Sequence, residues 1–375
     1  MKYELIATTT FGLEAVARRE LEKLGYEVMK TEDGKITYLG DLEAIAKSNL
    51  WLRTSDRVLL KMGETKVKNF EELFQYVKEL PWEEIIPKDG CFVVNGTTVK
   101  STLTSLPAIQ RTIKKAMVLR LSEAHKSELP ETGAEYPIRF TLLKDVLTIS
   151  IDTTGAGLHK RGYRVQNVEA PIKETLAAAL IELSFWRRGR LLVDPCCGSG
   201  TILIEAAMIG RNIAPGLCRN FLSEKWQIIP EEIWKRARKD SAESADYEGE
   251  FSIRGYDIDP KAVAAAEENA DAAGVRDDIC FERMSVSKIN IPEKSSIIIT
   301  NPPYGQRIGS EEEMEIVDKA LRRLMSEDES LSVFAITSEK GFEKKMGRKA
   351  DRRRKLYNGR IETTYYQYHG KKQRP

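Results

Sequence analysis

The chain has 375 residues, a length that favours two or three domains over a single core. Hydrophobic residues make up 41% of it and charged residues 31%, which is typical of globular proteins and unlike disordered or membrane proteins. No apolar run approaches the roughly 18 residues of a membrane-spanning helix, and the N-terminus lacks a signal-peptide pattern. We therefore expect a cytoplasmic protein that does not bind a membrane.

The five cysteines and three histidines are scattered along the chain. They form no CxxC pair, and no histidine lies at zinc-finger spacing from a cysteine. We therefore expect neither a disulfide scaffold nor a metal site.

Charge is unevenly distributed along the chain. The formal net charge is +2, but residues 341–375 contain twelve Lys or Arg and three Asp or Glu, so they carry +9 and the rest carries −7. A basic segment on a nearly neutral protein is typical of proteins that bind a polyanion. A solvated surface with a frayed tail would give the same pattern.

Residues 1–60 predict a small α+β unit. Apolar residues recur at helical spacing between Leu13 and Leu24, and Asp41 is suited to cap a second helix. Asp33 and Gly34 form a turn signal between two β-rich runs. The predicted strands are residues 3–8, 26–31, 35–39 and 57–61. The resulting order, βαββαβ, is that of a ferredoxin-like domain.

Residues 61–165 predict a second α+β module. Its predicted helices and strands are residues 70–80, 91–99, 106–121, 138–143 and 146–151. The second of its helices is basic, with most of its cations outside the apolar face. The cations considered as binding residues are Arg111, Lys114 and Lys115.

A short segment after this module interleaves cations with aromatic side chains, a composition typical of single-stranded RNA recognition. An interdomain linker with solvated charges is the alternative. We favour RNA contact, because the segment lies between the proposed binding module and the C-terminal half. The candidate residues are His159, Lys160, Arg161, Tyr163 and Arg164.

From about residue 170 onward, strands alternate with helices, which predicts a parallel, doubly wound sheet. The predicted helices are residues 172–183, 202–209, 260–273 and 312–325, and the strands are residues 190–193, 251–256, 297–300 and 331–337. Residues 360–368 are β-branched and aromatic, and we expect them to pair antiparallel beside the preceding strand.

Residues 194–201, with the sequence DPCCGSGT, connect a predicted strand to a predicted helix. Glycines allow the backbone to approach a ligand there, and the helix start offers free N–H groups at the carboxyl edge of the sheet. The segment has neither the lysine of a phosphate-binding P-loop nor the GxGxxG spacing of dinucleotide-binding proteins. We therefore expect a different ligand at this loop.

Two further candidates follow the next strands. Asp257 ends a strand, where a carboxylate can accept hydrogen bonds from both hydroxyls of a ribose. Asp259 precedes Pro260 and is better suited to cap the following helix.

The sequence NPPY at residues 301–304 follows another apolar strand. Its prolines fix the backbone and remove two N–H donors. The Asn301 side chain and the Pro302 carbonyl can accept hydrogen bonds from an exocyclic amine, while Tyr304 can stack on a planar base.

In this order, the three motifs resemble those of the class I S-adenosylmethionine-dependent methyltransferases that act on amino groups. The resemblance implies a Rossmann-like domain over residues 166–375, with a mostly parallel seven-stranded sheet. It also implies that residues 194–201 hold the methionine part of the cofactor, that Asp257 holds its ribose and that residues 301–304 hold the target amine. Ser285 lies near the position where many relatives carry an acidic residue against the adenine amine, so recognition of adenine differs here.

The likeness extends over nearly the whole chain. Residues 11–14, 158–164, 170–174 and 301–306 are similar to segments of the THUMP-domain RNA methyltransferases, and most of all to the bacterial group that acts on guanine N2 of 23S rRNA. The family implies a ferredoxin-like domain, a THUMP RNA-binding domain and a catalytic domain, here predicted at residues 1–60, 61–165 and 166–375. The cofactor-binding residues implied are Pro171, Lys173, Glu174, Asp194, Pro195, Cys196, Gly198, Ser199, Gly200, Thr201, Asp257, Ile258 and Ser285. The catalytic residues implied are Asn301, Pro302, Pro303 and Tyr304.

We therefore predict methyl transfer to an exocyclic base amine, with ribosomal RNA or an assembling large subunit as partner. Transfer to adenine N6 or to transfer RNA, a non-catalytic RNA-binding protein and a small-molecule methyltransferase are the alternatives. Covalent methylation of cytosine C5 through Cys196 or Cys197 is disfavoured, because both lie in the cofactor loop.

Overall fold

Two seven-stranded β-sheets organise the computed structural model, which describes residues 1–166, 171–303 and 311–371. The first sheet has the order β2-β3-β1-β4-β7-β6-β5. Its strands are β1 (Tyr3–Thr9), β2 (Glu27–Glu32), β3 (Lys35–Gly40), β4 (Ser55–Lys66), β5 (Val94–Val99), β6 (Ile138–Leu143) and β7 (Val146–Asp152). Its helices are α1 (Glu14–Lys23), α2 (Leu42–Trp51), α3 (Phe70–Glu79) and α4 (Leu106–His125).

The long strand β4 joins the two N-terminal modules. It extends over 12 residues, more than twice the predicted 57–61, and pairs with β1 in its first half and β7 in its second. The predicted boundary between residues 60 and 61 therefore lies inside one strand. The predicted βαββαβ order is present, and Asp41 caps α2 by accepting a hydrogen bond from the Ala44 amide at 2.9 Å. The two modules share one sheet and one hydrophobic core.

The second sheet has the order β10-β9-β8-β11-β12-β14-β13 and is parallel except where β14 pairs. Its strands are β8 (Leu192–Asp194), β9 (Ile253–Asp257), β10 (Cys280–Arg283), β11 (Ile297–Thr300), β12 (Ser332–Thr337), β13 (Arg352–Asn358) and β14 (Ile361–Tyr368). The helices of this half of the chain are α5 (Glu174–Ser184), α6 (Thr201–Gly210), α7 (Glu231–Glu243), α8 (Pro260–Ala272), α9 (Glu311–Glu327) and α10 (Phe342–Met346). This Rossmann-like sheet confirms the predicted architecture, including the antiparallel terminal strand.

Strand order fixes the position of the site. β8 pairs with β9 on one side and with β11 on the other, so the direction of strand addition reverses at β8. In doubly wound sheets the crevice outside the carboxyl ends of such strands binds ligands. The three predicted motifs follow β8, β9 and β11 and therefore meet at this edge.

Residues 211–250 contain α7, which was not predicted from the sequence. The segment leaves the second sheet and packs into the core of the first, where Trp226 stacks on Tyr136 at 4.8 Å and donates to the Glu135 carbonyl at 2.9 Å. The buried face of α7 is narrow and includes Trp234 and Ala237. The two halves of the chain therefore share a core.

A buried ion pair also joins the two halves. Arg161 and Glu205 are 3% and 0% exposed, with the Arg161 Nε atom 3.3 Å from Glu205 Oε1. Arg161 also donates to the carbonyls of Leu158 and Arg53, at 2.9 and 2.5 Å. The Tyr163 hydroxyl donates to Glu205 Oε1 at 3.1 Å.

This geometry corrects part of the predicted RNA contact. Arg161 and Tyr163 lie in the interior, so the prediction that they contact RNA is wrong. His159 is half-buried, and burial lowers its pKa to about 4, so its ring is neutral at pH 7. Lys160 remains exposed, as do Arg111 and Lys115 on α4.

Lys114 is engaged within the protein. Its ammonium donates to Glu131 Oε1 and the Phe92 carbonyl at 2.6 Å each, and lies 3.6 Å from the centroid of the Phe92 ring. Its charge is therefore partly compensated.

In the described part of the chain, no helix is both long and apolar enough to cross a membrane.

We expect Arg161→Met to lower the free energy of unfolding by about 3–5 kcal/mol, because Glu205 would stay buried without its cationic partner. Arg161→Met/Glu205→Leu removes both charges and should recover most of that loss. Urea titrations followed by circular dichroism measure both effects. Lys235→Met removes an exposed ion pair with Glu231 and is the control, with an unchanged midpoint expected. A single variant as stable as this control would contradict the importance of the buried pair.

Candidate active site

A cavity of about 390 Å³ lies at the carboxyl edge of the second sheet. It receives residues from the ends of β8, β9 and β11, from α9 and from the turn between β13 and β14. The predicted site residues in its wall are Pro171, Asp194, Pro195, Cys196, Gly198, Ser199, Thr201, Asp257, Ile258, Ser285, Asn301, Pro302 and Pro303. The wall also contains Cys197 and Ile172, which adjoin predicted residues.

The loop after β8 depends on its two glycines. Gly198 and Gly200 have φ values of +54° and +77°, which side-chain-bearing residues rarely adopt. A Cβ on Gly200 would also lie 3.0 Å from the Ala266 Cβ and from the edge of the Phe281 ring. Gly200 therefore allows α6 to start close to α8 and β10, although it does not itself line the cavity.

Two carboxylates hold this loop from opposite sides. Asp194 Oδ1 accepts hydrogen bonds from the Thr300 hydroxyl at 2.7 Å and the Cys196 amide at 3.1 Å. Asp257 Oδ2 accepts one from the Gly198 amide at 2.9 Å. Burial, together with the charge of Asp257, raises the pKa of Asp194 to about 7. Near neutral pH the protonation of Asp194 is therefore sensitive to charge in the cavity.

Asp259 has the structural role that its position predicts. Its carboxylate accepts a hydrogen bond from the Lys261 amide at 2.9 Å and caps α8. The second oxygen of Asp257 accepts one from the Asp259 amide at 3.0 Å. Two consecutive hydrogen bonds from backbone amides to carboxylates thus fix the chain just after β9.

Arg164 stabilises the loop from behind, where the sequence predicted an RNA contact. Its guanidinium donates to Glu174 Oε1 at 2.8 Å, to the Ile172 carbonyl at 3.1 Å and to the hydroxyls of Ser199 and Thr201 at 3.3 and 3.1 Å. These bonds occupy the group that was expected to bind phosphate. Arg164 is therefore a positioning residue of the cavity, and the prediction that it contacts RNA is wrong.

The residues at the start of α5 lie behind the loop and do not line the cavity. Glu174 is 5% exposed and is connected to the loop through Arg164, while Lys173 precedes the helix. Neither lies in the cavity wall, although both were predicted to bind the cofactor. The contribution of Glu174 is to the position of Arg164 and, through it, of the loop.

The end of β11 supplies an acceptor that lacks a partner. Asn301 lines the cavity, and its buried Oδ1 atom forms no hydrogen bond with the residues described in the structure. An unpaired buried acceptor typically costs about 1–3 kcal/mol, a cost that a donor from a ligand would remove. Pro302 and Pro303 follow in the wall, whereas Tyr304 lies outside the described residues.

Apolar side chains form most of the remaining wall, which also includes Glu313 and Asn358, and some of the apolar side chains are strongly exposed. Ile258, Ile316 and Ile361 are 67%, 46% and 50% exposed at its rim. Ile316 and Ile361 were not predicted, because α9 and the β13–β14 turn reach the cavity only through the tertiary fold. Met284 and Val286 flank Ser285, whose hydroxyl lies 3.0 Å from that of Ser287. This wall is suited to a planar, mostly apolar group.

The two neighbouring cysteines are poorly suited to be nucleophiles. Burial, with the charges of Asp194 and Asp257, raises the pKa of both thiols well above their usual range. A covalent route needs the thiolate, so the burial of both thiols also disfavours cytosine C5 methylation. Among the residues described, no three His, Cys, Asp or Glu side chains are arranged to hold a metal ion.

Comparisons with known families cover most of the chain. Residues 4–59 match the RlmL ferredoxin-like domain, residues 67–152 match the THUMP domain, and residues 161–367 match the RMKL-like methyltransferase domain. These matches occur in the order that the sequence predicted.

Relatives that match nearly the whole chain support the same family. "Putative RNA methyltransferase YpsC" of Bacillus subtilis (strain 168) is 47% identical over 99% of this chain and 97% of its own. A crystal structure described as a "predicted N6-adenine-specific DNA methylase" from Listeria monocytogenes str. 4b F2365 has a TM-score of 0.94 and 44% identity, over 99% of this chain and 97% of that chain. SMU.472, "a putative methyltransferase complexed with SAH", has a TM-score of 0.93 and 42% identity, over 100% and 99% of the two chains. The chain therefore belongs to the RMKL-like methyltransferases with RlmL-type ferredoxin-like and THUMP domains, whose methyl donor is S-adenosylmethionine.

Proposed function

We propose that this chain methylates an exocyclic amine of an RNA base, and that its target is guanine N2 of 23S rRNA. The observation that carries the proposal is the buried Oδ1 atom of Asn301 at the carboxyl end of β11, which has no hydrogen-bond partner among the described residues. An amine is a hydrogen-bond donor, and this acceptor lies in the same cavity as the loop assigned to the cofactor. The proposed substrate places the reaction in the cytoplasm.

The residues of the cavity fit S-adenosylmethionine. Asp257 presents a carboxylate suited to ribose hydroxyls, and the glycine loop exposes backbone beside the cavity. The apolar wall of Ile258, Met284 and Val286 suits the adenine ring. When bound, the cofactor supplies an electrophilic methyl group on a cationic sulfur. The residues of the chain determine which amine reaches that methyl group.

Asn301 and Pro302 act on the nucleophile. The lone pair of an aromatic amine is delocalised into its ring, so the amine is a weak nucleophile. Two fixed acceptors, the Asn301 side chain and the Pro302 carbonyl, would draw the amine toward tetrahedral geometry and direct its lone pair. Positioning of this kind supplies much of the rate enhancement in two-substrate reactions. The amine loses its proton after transfer, so no strong base is needed beforehand.

The target base must leave its stack to reach this edge of the sheet. Pro303 forms part of the wall beside Asn301, and we assign base stacking to Tyr304, which lies outside the described residues. An unstacked base implies single-stranded or flipped RNA as the substrate.

RNA as the substrate is supported by the THUMP match and by the name of the Bacillus relative. Exposed cations at Arg111, Lys115 and Lys160 are available for phosphate groups. The choice of guanine N2 and ribosomal RNA rests on the resemblance of the whole chain to that group. Adenine N6 is the second candidate, because the description of the Listeria structure names that base for that protein.

Nucleoside analysis distinguishes these targets. Radiolabelled methyl transfer from S-adenosylmethionine would be measured on 23S rRNA and transfer RNA from a strain that lacks the gene, followed by digestion and mass spectrometry. Label in N2-methylguanosine of 23S rRNA is the expected result. Label in N6-methyladenosine or in transfer RNA would replace the proposed target, and absence of label in free RNA and in ribosomal particles would overturn the proposal.

Asn301→Ala should reduce methyl transfer by at least about 100-fold, comparable with the loss of one preorganised polar group in other active sites. Cofactor affinity should stay within about twofold, because Asn301 is assigned to the amine. Asn290→Ala, at an exposed position outside the cavity, is the matched control. Single-turnover assays with saturating cofactor and calorimetric binding separate the two effects. Full activity in Asn301→Ala would exclude the proposed role.

Asp194 should make cofactor binding depend on pH. Its pKa of about 7 means that its ionised fraction rises between pH 6 and pH 8. A cation in the cavity favours the ionised carboxylate, so the affinity for S-adenosylmethionine should increase several-fold over this interval. S-adenosylhomocysteine has a neutral sulfur, and its affinity should change less.

Calorimetry with both molecules at pH 6, 7 and 8 tests this expectation. Asp194→Asn keeps a hydrogen-bond acceptor but cannot ionise, so the ratio of the two affinities should become independent of pH. A ratio that varies equally in the variant and the wild type would show that another group titrates.

A further inference from the structure

A second cavity, of about 340 Å³, lies between α1 and the edge of the second sheet. We call it the arginine pocket. Its wall includes Arg18 and Arg19 from α1, Phe185 after α5, Arg352 and Arg354 from β13, and Gln367 from β14. It lies away from the proposed active site, whose cavity contains the opposite end of the same hairpin, at Asn358 and Ile361.

Positive charge in this pocket is poorly compensated. Four arginines line it, and Glu22 is the one acidic residue in its wall. Glu22 already pairs with Arg18 at 2.7 Å. In the described part of the chain, Arg19, Arg352 and Arg354 form no ion pair. Burial and the charges of Arg352 and Arg19 lower the pKa of Arg354, which indicates three cations close together.

Two donors in the pocket lack acceptors. Gln367 is 1% exposed, and its amide nitrogen has no hydrogen-bond partner among the described residues. The Nε atom of Arg354 is also buried without a partner in this part of the chain. An unpaired buried donor is costly, and more so on a charged group. A cavity that holds uncompensated cations and unpaired hydrogen-bond donors is suited to bind an anion.

Neighbouring side chains of β13 show that this arrangement is specific to one face. Arg353 lies between Arg352 and Arg354 in the strand, so its side chain points to the face opposite theirs. There it pairs with Glu343 at 3.1 Å. Lys355, also on that face, pairs with Glu362 at 2.7 Å. The cations on that face thus have carboxylate partners, whereas Arg352 and Arg354 have none among the residues that the structure describes.

We propose that the arginine pocket binds a phosphodiester of the RNA substrate; the inference rests on the proposed function. The planar guanidinium group matches the geometry of phosphate oxygens and can donate two parallel hydrogen bonds to them. Phe185 is 56% exposed in the same wall and offers an aromatic face on which an adjacent base can stack. A phosphate flanked by an unstacked base identifies single-stranded RNA as the ligand.

The hairpin sets the distance between this phosphate and the reacting base. Arg352 and Asn358 are the first and last residues of β13, and six residue steps in a strand span about 20 Å. The pocket would therefore hold RNA several nucleotides away from the base in the active site. Binding there would anchor the substrate without contact with the methyl group.

The test uses the full chain with Arg352→Gln/Arg354→Gln and compares it with Arg353→Gln as the matched control. The probes are a 23S rRNA transcript and a short fluorescein-labelled single-stranded RNA, with affinity measured by anisotropy over a series of salt concentrations. We expect the double variant to weaken both about tenfold or more, and to reduce the slope of log affinity against log salt by about 1. Arg353→Gln should bind like the wild type.

Phe185→Leu isolates the stacking contribution, because it keeps an apolar side chain and removes the ring. It should weaken the short RNA about tenfold without changing the salt slope. Cofactor affinity should be unaffected in every variant, since the pocket is remote from the cofactor cavity. Removal of uncompensated cations should not lower the thermal midpoint of the double variant, so that a loss of RNA affinity cannot be attributed to unfolding.

The outcomes separate this inference from the proposed function. If the wild type methylates RNA and the double variant binds RNA with unchanged affinity and salt slope, the pocket is not an RNA site and the proposed function stands. If calorimetry shows that inorganic phosphate binds in the pocket of the wild type while RNA affinity is unchanged in the double variant, the ligand is a free anion. If the wild type neither binds nor methylates RNA, both proposals fail.

Discussion

The two halves of the molecule are joined by a buried ion pair whose hydrogen bonds come from several parts of the fold. Arg161 lies in the linker, Glu205 lies on α6, and Arg53, whose carbonyl accepts from Arg161, lies between α2 and β4. Buried charges are costly to desolvate, so the pair is stable only when each polar group has its partners. All of these partners are present only when both halves are docked in one orientation. The pair therefore fixes the orientation of the N-terminal modules against the catalytic sheet.

The same helix connects this constraint to the active site. Thr201 begins α6 at the cavity, and Glu205 lies one turn further along the helix. On the cavity side, Arg164 and Asp257 hold the loop before any ligand binds. A reaction that depends on the position of a weak nucleophile benefits from a site that is rigid in advance. Helix α6 therefore connects the interdomain ion pair directly to the preorganised loop.

Local patterns in the sequence predicted most of the fold and the motif residues of the site. Strand β13 was missed because three consecutive arginines at its start hide the alternation of an edge strand. β4 was predicted too short because its second half contains no buried residue and is mostly polar. The charged residues of α7 likewise hide its narrow buried face. In each case the missing information was the tertiary neighbour that covers the segment.

Prediction of the site residues was limited in the same way, because local sequence patterns do not reveal tertiary neighbours. Asp194, Asp257 and Asn301 could be identified because the ends of parallel strands meet at one edge. Arg161 and Tyr163 were assigned to the surface because a cation beside an aromatic residue has the same composition on a surface as around a buried carboxylate. Their partner, Glu205, is more than forty residues away in sequence. Burial of this kind cannot be read from local spacing.

The insertion of residues 211–250 into the first core has a consequence for synthesis of the chain. Five buried residues of this segment, Phe221, Trp226, Ile229, Trp234 and Ala237, complete a core whose other buried members lie before residue 160. This core cannot close until the ribosome has synthesised α6 and α7, which belong to the catalytic half. Contacts over such separations slow folding, because the entropy of a long loop is lost before they form. The N-terminal modules thus reach their final packing only after α6 and α7 of the catalytic half have emerged.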